Sequence, residues 1–324
     1  MSVNDQVKVT HDFSAKSTGA EVLTDIQLEG KIAIVTGGYS GIGLETTREL
    51  ANKGVKVIVP VRSKTKAQEN LKDVKGDVQV VALDLSDLGS VSRFASAMLN
   101  EMERLDLLIN NAGIMANPEQ RIGPGWESQF GTNHMGHFAL TKGLMPLITQ
   151  TEGARVICLT STAHKISDIR WDDLQFEKGY DKWQAYGQSK TANALFANAL
   201  SRRLKETDGL AFSVHPGGIF TPLQRHLPNE EMVALGWINE DGSPSELAKQ
   251  GFKTPEQGAS TTLWAATSAL LENKPGVYCS DCNIESPTDP NSPLARYYGV
   301  DPHACDDESA DRLWAVSEDL LSKA

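Results

Sequence analysis

Short apolar runs recur along the chain, and stretches with helical spacing separate them. Ile32-Ala33-Ile34-Val35, Val55 to Val61, Val78 to Leu83, Leu105 to Ile109, Ala154 to Leu159 and Leu210 to Val214 read as buried strands. Such runs, apolar on both faces, suit a parallel sheet covered on both sides. Leu44 to Lys53, Val91 to Met102, Gly125 to Ile148 and Ala185 to Lys205 read as helices, and Val277-Tyr278-Cys279 as a last strand. Strands alternating with helices predict an α/β protein with a doubly wound parallel sheet, the Rossmann arrangement.

Two stretches break the rhythm. Residues 1–24 are polar and without a period, and read as an arm that is either disordered or laid over the surface. No repeat or linker divides residues 25–324, which therefore read as a single domain. The region of about 221–254 is long, polar and proline-containing, and it follows a strand end. A lid over a substrate is the functional expectation for such an insertion; a disordered surface loop is the plainer one.

Composition narrows the classes. Hydrophobic residues make up 40% of the 324 and charged residues 23%, enough for a packed core. A net charge of −11 argues against a general nucleic-acid or anionic-membrane surface. No apolar run approaches the ~20 residues of a membrane span. The polar start lacks a secretory core, and four cysteines do not make a disulfide framework in a chain of this length. The expected location is a reducing cytoplasm.

The chemistry clusters after strand ends. Gly37-Gly38-Tyr39-Ser40-Gly41-Ile42-Gly43 joins the first strand to a helix. Glycines admit backbone N–H groups to a pyrophosphate, and the helix N-terminus adds a favourable partial charge. A ligand-free glycine turn is the alternative. The second strand ends at Arg62 with no acidic residue from Val55 onward. That suits a ribose 2′-phosphate rather than a 2′-hydroxyl, the alternative being a solvated basic loop. Asp84-Leu85-Ser86 follows the third strand, where Asp84 would meet an adenine amino group, or Asp84 or Ser86 would cap the next helix. Asn110-Asn111-Ala112-Gly113 follows the fourth strand and Ser161 the fifth. Tyr186 and Lys190, four apart, share a helix face. An ammonium stabilises a phenolate, and lowering a phenol by about three pKa units takes roughly 4 kcal/mol. Ser161 would then hold a substrate oxygen while Tyr186 moves the proton.

Taken together, Thr36-Gly37-x3-Gly41-Ile42-Gly43, Asn110-Asn111-Ala112-Gly113, Asn133, Ser161, Tyr186-x3-Lys190 and Pro216-Gly217 resemble the short-chain dehydrogenase/reductase family from about Leu28 to Cys282. Phe130 to Phe138, Ser161-Thr162-Ala163-His164 and Ser213 to Gly217 are most similar to the branch of retinol dehydrogenases and the WW-domain oxidoreductase, in a soluble microbial form. The resemblance implies an NADP(H)-dependent oxidoreductase that interconverts an alcohol and a ketone or aldehyde. Tyr186 would be the acid/base, Lys190 would lower its pKa and bind the nicotinamide ribose, Ser161 would orient the carbonyl, and Asn133 would hold a water linking Lys190 to solvent. Cofactor contacts would come from Gly37, Tyr39, Ser40, Gly41, Ile42, Gly43, Arg62, Asp84, Leu85, Asn111, Ala112 and Gly113. Tyr186, Lys190, Pro216, Gly217, Ile219 and Thr221 would complete them around the nicotinamide. Tyr39 departs from the small or basic residue common at its position. The resemblance also implies a homodimer or tetramer packed through the helices around Asn133 to Ile148 and Ala185 to Lys205. An NADP(H)-binding regulatory protein without turnover is the competing reading.

Cys279-x2-Cys282, with His303 and Cys305 beyond, lacks a usual zinc spacing and reads as ordinary thiols, so no metal is expected. Cys158 reads as a buried strand residue, and His164 and His215 as packing or hydrogen-bonding residues. Trp171, Phe176 and Trp183 either wall a substrate pocket or anchor their loop.

Overall fold

A computed structural model describes residues 3–324. Its first half runs α1 (Gly19–Val22), β1 (Ile32–Val35), α2 (Gly41–Asn52), β2 (Lys56–Val61), α3 (Lys64–Leu71), β3 (Val78–Ala82), α4 (Leu88–Glu101) and β4 (Leu107–Asn110). A small hairpin of β5 (Arg121–Ile122) and β6 (Trp126–Glu127) leads to α5 (Ser128–Phe130), a π-helical turn (Gly131–Met135) and α6 (Gly136–Gln150). Then come β7 (Arg155–Leu159), α7 (Lys182–Arg203), β8 (Leu210–His215), α8 (Asn229–Ala234) and α9 (Glu246–Gly251). The chain ends with α10 (Pro255–Thr267), β9 (Tyr278–Ser280), β10 (Asn283–Ile284) and α11 (Asp307–Ser322).

The six apolar runs and the run ending at Cys279 all become strands of one eight-stranded sheet, in the order β10-β9-β8-β7-β4-β1-β2-β3. Ala33 pairs with Val57 on one side and Leu107 on the other, so the strand order reverses at β1. Open sheets of this kind bind ligands beyond the carboxyl ends of the strands at such a reversal, which here places the crevice beside the loops after β1 and β4. Every neighbouring pair is parallel except the last, where β10 returns antiparallel along β9. The run ending at Cys279 is thus not the final strand. Asp281 (φ 52°) and Cys282 (φ 57°) make the reversal without glycine, so the usual hairpin signature is missing. Thr261 Oγ1 accepts from Cys282 N at 3.0 Å and helps hold that turn.

Helix boundaries depart from the periodicity where caps decide. The helix expected from Gly125 starts at Ser128: Gly125 (φ 107°) belongs to the hairpin, and Glu127 caps α5 by accepting from Gln129 N and Phe130 N at 2.8 and 2.7 Å. Asp181 starts α7 at Lys182 by accepting from Trp183 N and Gln184 N. Asp87, rather than Asp84 or Ser86, caps α4.

Two apolar layers sandwich the sheet. On one face α4, α6, α7 and α11 enclose Phe138, Phe196 and Trp314, with Phe138 centred 5.5 Å from Phe196 and 5.0 Å from Trp314. On the other, α1, α2 and α10 pack Leu23, Leu50, Leu263 and Trp264. Of the two helices expected to meet a second copy, α7 is packed by α11 of the same chain, while α6 touches α11 at Phe138–Trp314 and keeps Lys142, Pro146 and Gln150 exposed. The N-terminal segment lies on the fold: Val9 and Asn283 exchange two hydrogen bonds of 2.9 Å, and Leu23 is buried. Beyond β8, a 3-10 helix (Pro222–His226), α8 and α9 form a layer of short helices over the crevice.

Candidate active site

The glycine loop is held by close packing. Gly37 (φ 66°) and Gly41 (φ 54°) occupy the left-handed region that favours glycine. At Gly43 a Cβ would lie 2.5 Å from both Asn111 Nδ2 and Gly37 O, so only glycine lets α2 approach the β4 loop. Ser40 precedes α2 without capping it through its side chain. Among the described residues, the N–H groups of Gly41, Ile42 and Gly43 have no protein acceptor. A 12-residue helix thus presents free donors and its positive end to the crevice, which fits a pyrophosphate. Ile42 and Ile219 meet at Gly258 of α10, where a Cβ would lie 2.7 and 2.9 Å from them. Tyr39 O accepts from Asn70 Nδ2 at 3.0 Å.

Thr36 links this loop to the next. Its hydroxyl oxygen accepts from Asn111 N (2.9 Å) and Ala112 N (3.0 Å), while Asn111 Nδ2 donates to Thr36 O at 2.7 Å. His137 Nδ1 faces the carbonyl of Asn133 at 2.9 Å and so carries the proton; Nε2 then accepts from the Thr36 hydroxyl at 2.9 Å. Burial lowers the His137 pKa to about 4, which keeps the ring neutral. Sequence reading assigned no role to Thr36 or His137; the His134-x2-His137 spacing was the available signal.

Asn133 sits in the π-helical turn. Its Oδ1 accepts from Ile114 N, and its Nδ2 donates to Ile114 O and Ser189 Oγ, each at 2.9 Å. The loop after β4 is therefore pinned beside α7. At Gly113 a Cβ would lie 3.3 Å from Asn133 Oδ1 and 3.8 Å from Lys190 Nζ, which brings these three residues together. Lys190 Nζ donates to Leu159 O at 3.2 Å and lies 5.5 Å from the Tyr186 ring centroid. Burial lowers its pKa to about 8. Tyr186 is 5% exposed. Burial raises its phenol well above the usual value, and a hydrogen bond with Ser161 opposes the rise. Ser161 is held in turn: His164 Nδ1–H donates to Ser161 O at 2.8 Å, and His164 Nε2 accepts from Asp301 N at 3.1 Å. His164 is thus a neutral hydrogen-bonding residue, its pKa lowered to about 4 by burial.

Met115, Ala116, Tyr186 and Leu227 form an apolar cluster, with Trp183, Leu223, Met232 and Trp237 packed against it. Trp183 meets both Tyr186 and Trp237 edge-on, so it walls the cleft. Phe176 lies under Arg170 and Trp171 under Arg312, so these two anchor their loop.

Pro216-Gly217 follows β8, with Gly217 at φ 102°. A Cβ there would meet Lys253 Cδ and Cε at 2.9 Å. Lys253, 4% exposed in its side chain, pairs with Asp281 at 2.6 Å, an ion pair without a sequence signal. Thr221 packs on Gly41, where a Cβ would come within 3.2 Å of it. Asp84 Oδ1 accepts from Ser86 N and Oγ at 2.9 and 2.6 Å. Leu85 backs onto Gly136, at which a Cβ would lie 2.4 Å from Leu85 O. Arg62 is exposed at the end of β2. Cys279 and Cys282 are buried free thiols, and among the described residues no cluster could hold a metal ion.

A family model described as short chain dehydrogenase matches residues 31–232. The chain is 38% identical to retinol dehydrogenase 12 of Mus musculus over 308 residues, covering 94% of this chain and 90% of the relative. It is 41% identical to a probable oxidoreductase of Streptomyces lividans over 304 residues, covering 92% and 99%. Among solved structures, a Pseudomonas aeruginosa RhlG/NADP active-site complex superposes with a TM-score of 0.60 at 26% identity, covering 78% of this chain and 95% of that one.

Proposed function

The chain belongs to the short-chain dehydrogenase/reductase family, in its retinol-dehydrogenase-like branch, and from that premise we propose an NADP(H)-dependent enzyme in which Tyr186 is the acid/base. The family makes it an oxidoreductase of alcohols and carbonyls. The carrying observation is the buried pair of Tyr186 and Lys190, with the ammonium 5.5 Å from the ring centroid and the partly exposed Ser161 hydrogen-bonded to the phenol.

The nicotinamide, when bound, supplies or accepts the hydride. The chain's own residues handle the substrate oxygen and the proton. Ser161 holds the oxygen, and Tyr186 donates its proton in reduction and takes it back in oxidation. Burial keeps Tyr186 a phenol at neutral pH, ready to donate. Lys190, with a pKa of about 8, is mostly an ammonium at pH 7 and stabilises the phenolate that remains. Asn133 fixes the loop that carries Gly113 beside Lys190, a placement that supports a water-mediated path from Lys190 to solvent.

Gly37, Ser40, Gly41, Ile42 and Gly43 would hold the pyrophosphate; Tyr39, Arg62, Asp84, Leu85, Asn111 and Ala112 the adenosine half; and Gly113, Pro216, Gly217, Ile219 and Thr221 the nicotinamide half. Arg62 favours NADP(H), because a guanidinium fork matches a 2′-phosphate. The likeness to an NADP complex supports the same choice. The short helices of 221–254 serve as a lid on a single domain that begins near residue 25, after the N-terminal arm. The four free thiols suit a reducing cytoplasm. No helix among the described residues is long and apolar enough to cross a membrane. A homodimer or tetramer is the expected assembly, and with α11 packed along α7 it is α6 that offers the more accessible of the two helices.

The test is NADPH oxidation, followed by absorbance, against a panel of aldehydes and ketones. Tyr186→Phe is expected to lower kcat by about 10²–10⁴-fold. Equal rates in both proteins would remove the mechanism. A wild type that binds NADPH yet turns over nothing in the panel would favour the regulatory reading.

A further inference from the structure

The segment that follows Ile219 touches both ends of the crevice. Thr221 lies on Gly41 of the glycine loop, and a Cβ at Gly41 would come within 3.2 Å of it. A capping box fixes the turn that follows: Leu223 N donates to Thr221 Oγ1 at 3.2 Å and Thr221 N to Gln224 Oε1 at 2.9 Å. Gln224 Nε2 also donates back to Ile219 O at 2.7 Å. The exit direction of the 3-10 helix is therefore set by the glycine loop beneath it. Leu223 on that helix and Leu227 just past its end belong to the apolar cluster around Tyr186.

Arg225 stands between those two leucines. Its Nη1 donates to Pro222 O at 3.0 Å, inside its own turn. Among the described residues, no carboxylate pairs with it or with Arg62. The charges that act on Arg225 are those of Arg62 and the Tyr39 phenol. Two guanidiniums that repel one another thus lie without a carboxylate partner, in a chain with 42 acidic residues, and Arg225 sits on the turn that starts from Thr221 on the glycine loop. Such a pair is costly alone and favourable around a dianion.

We infer that Arg225 is a second guanidinium for the cofactor's 2′-phosphate, carried by the lid, so that the phosphate draws Leu223 and Leu227 onto the Tyr186 cleft. The inference rests on the NADP(H) reading above and adds to it a residue that links cofactor choice to closure. Arg62 belongs to the sheet and meets the phosphate from a fixed position. Arg225 belongs to the short helices and brings them along. NADH lacks the phosphate and leaves the lid without that tie.

The experiment uses the full chain. NADPH and NADH are titrated by tryptophan fluorescence, with 2′,5′-ADP and 5′-AMP as probes that lack the nicotinamide. Arg225→Gln is expected to weaken NADPH and 2′,5′-ADP by about tenfold to a hundredfold, the span of one hydrogen bond to a charged group, and to leave NADH and 5′-AMP unchanged. Arg225→Lys should restore part of the loss. NADPH, but not NADH, should protect residues 221–254 of the wild type from protease, and Arg225→Gln should abolish the protection. Equal weakening of both cofactors, or of neither, overturns the inference. A preference for NADPH that survives Arg225→Gln and is lost in Arg62→Asp overturns it alone. A wild type that binds NADH as tightly as NADPH removes both the cofactor reading and this inference.

Discussion

Asn133, Ser161, Tyr186 and Lys190 stand on the floor of the crevice, each tied to a backbone group or a buried neighbour. The roof, from Thr221 to Thr254, is made of short helices tied by partly exposed pairs such as Lys182–Glu231 until the buried Lys253 rejoins the sheet side. The floor inherits its rigidity from the sheet and from α7, most of whose residues are buried. The roof inherits its position from a few contacts: Thr221 on Gly41, Leu227 on Tyr186 and Lys253 under Gly217. Proton transfer needs fixed distances, while substrate entry needs a part that moves. The two are divided between elements of different stability.

The largest expected effect falls on the floor, through acid. His134, His137 and His164 are buried, with pKa values lowered to about 3, 4 and 4. Each is neutral in the fold and takes up a proton on unfolding at mildly acidic pH. Stability is therefore full above pH ~6.5, the unfolded value, and lost as pH falls toward the folded ones. With His215, whose pKa burial also lowers to about 3, four such groups give a slope of about 5 kcal/mol per pH unit in that window. Glu127 and Glu285, whose burial raises their carboxyl pKa, act in the opposite sense lower down. Chemical denaturation followed by circular dichroism between pH 7 and pH 5 reads the slope. A flat profile would mean that these rings are protonated in the fold, and the hydrogen-bond assignments at Thr36 and Ser161 would fail with it.

Next is the seam where the roof rejoins the sheet. Asp281→Asn leaves Lys253 buried without its counter-charge, at an expected cost of about 3 kcal/mol, the lower end for a broken buried pair because Asp281 is itself 34% exposed. Lys253→Met removes the charge together with its need for a partner and should cost less. Urea midpoints of the two variants give the order. If Lys253→Met is the worse of the two, packing under Gly217 dominates and the ion pair is incidental.

The same division explains what the sequence disclosed. The floor was legible because each of its residues follows an apolar strand or sits at a fixed spacing on a long helix: Ser161 ends β7, and Tyr186 and Lys190 share one face of α7. The α2 start at Gly41 was not legible, because glycine fills its first turn and no side chain caps it, and the break at Gly125 was not, because the Glu127 cap decides it rather than hydrophobic period. β10 was missed because Asp281-Cys282 turns the chain without glycine or asparagine. The roof appeared only as a polar gap, since helices such as α8 and α9 bury too little to show periodicity. Lys253–Asp281 and Thr36–His137 join positions far apart in sequence, and no local pattern announces them.

Gly43→Ala tests the junction of α2 with the two loops, and a smaller effect is expected. The new methyl would lie 2.5 Å from Asn111 Nδ2, so that amide must turn and release Thr36 O. The expected loss of stability is about 1–3 kcal/mol, as for overpacking elsewhere, accompanied by weaker binding of both cofactors. Unchanged thermal stability with unchanged cofactor affinity would show that α2 can slide away from β4, and that the floor is less rigid than its hydrogen bonds suggest.

The smallest effect on stability, and the sharpest test of the division, belongs to Glu231→Gln. Glu231 accepts from Trp183 Nε1 at 2.8 Å and pairs with Lys182, which ties α8 to the first turn of α7. Both partners are partly exposed, so the pair is worth under about 1 kcal/mol and the melting temperature should hardly move. The glutamine can still accept from the indole, but it loses the charge that Lys182 needs. The lid should therefore open more often: protease should nick residues 221–254 faster, and KM should rise while kcat stays near the wild-type value. A variant that melts several degrees lower without faster nicking would put α8 in the cooperative core with the sheet, and floor and roof would then be one structural unit.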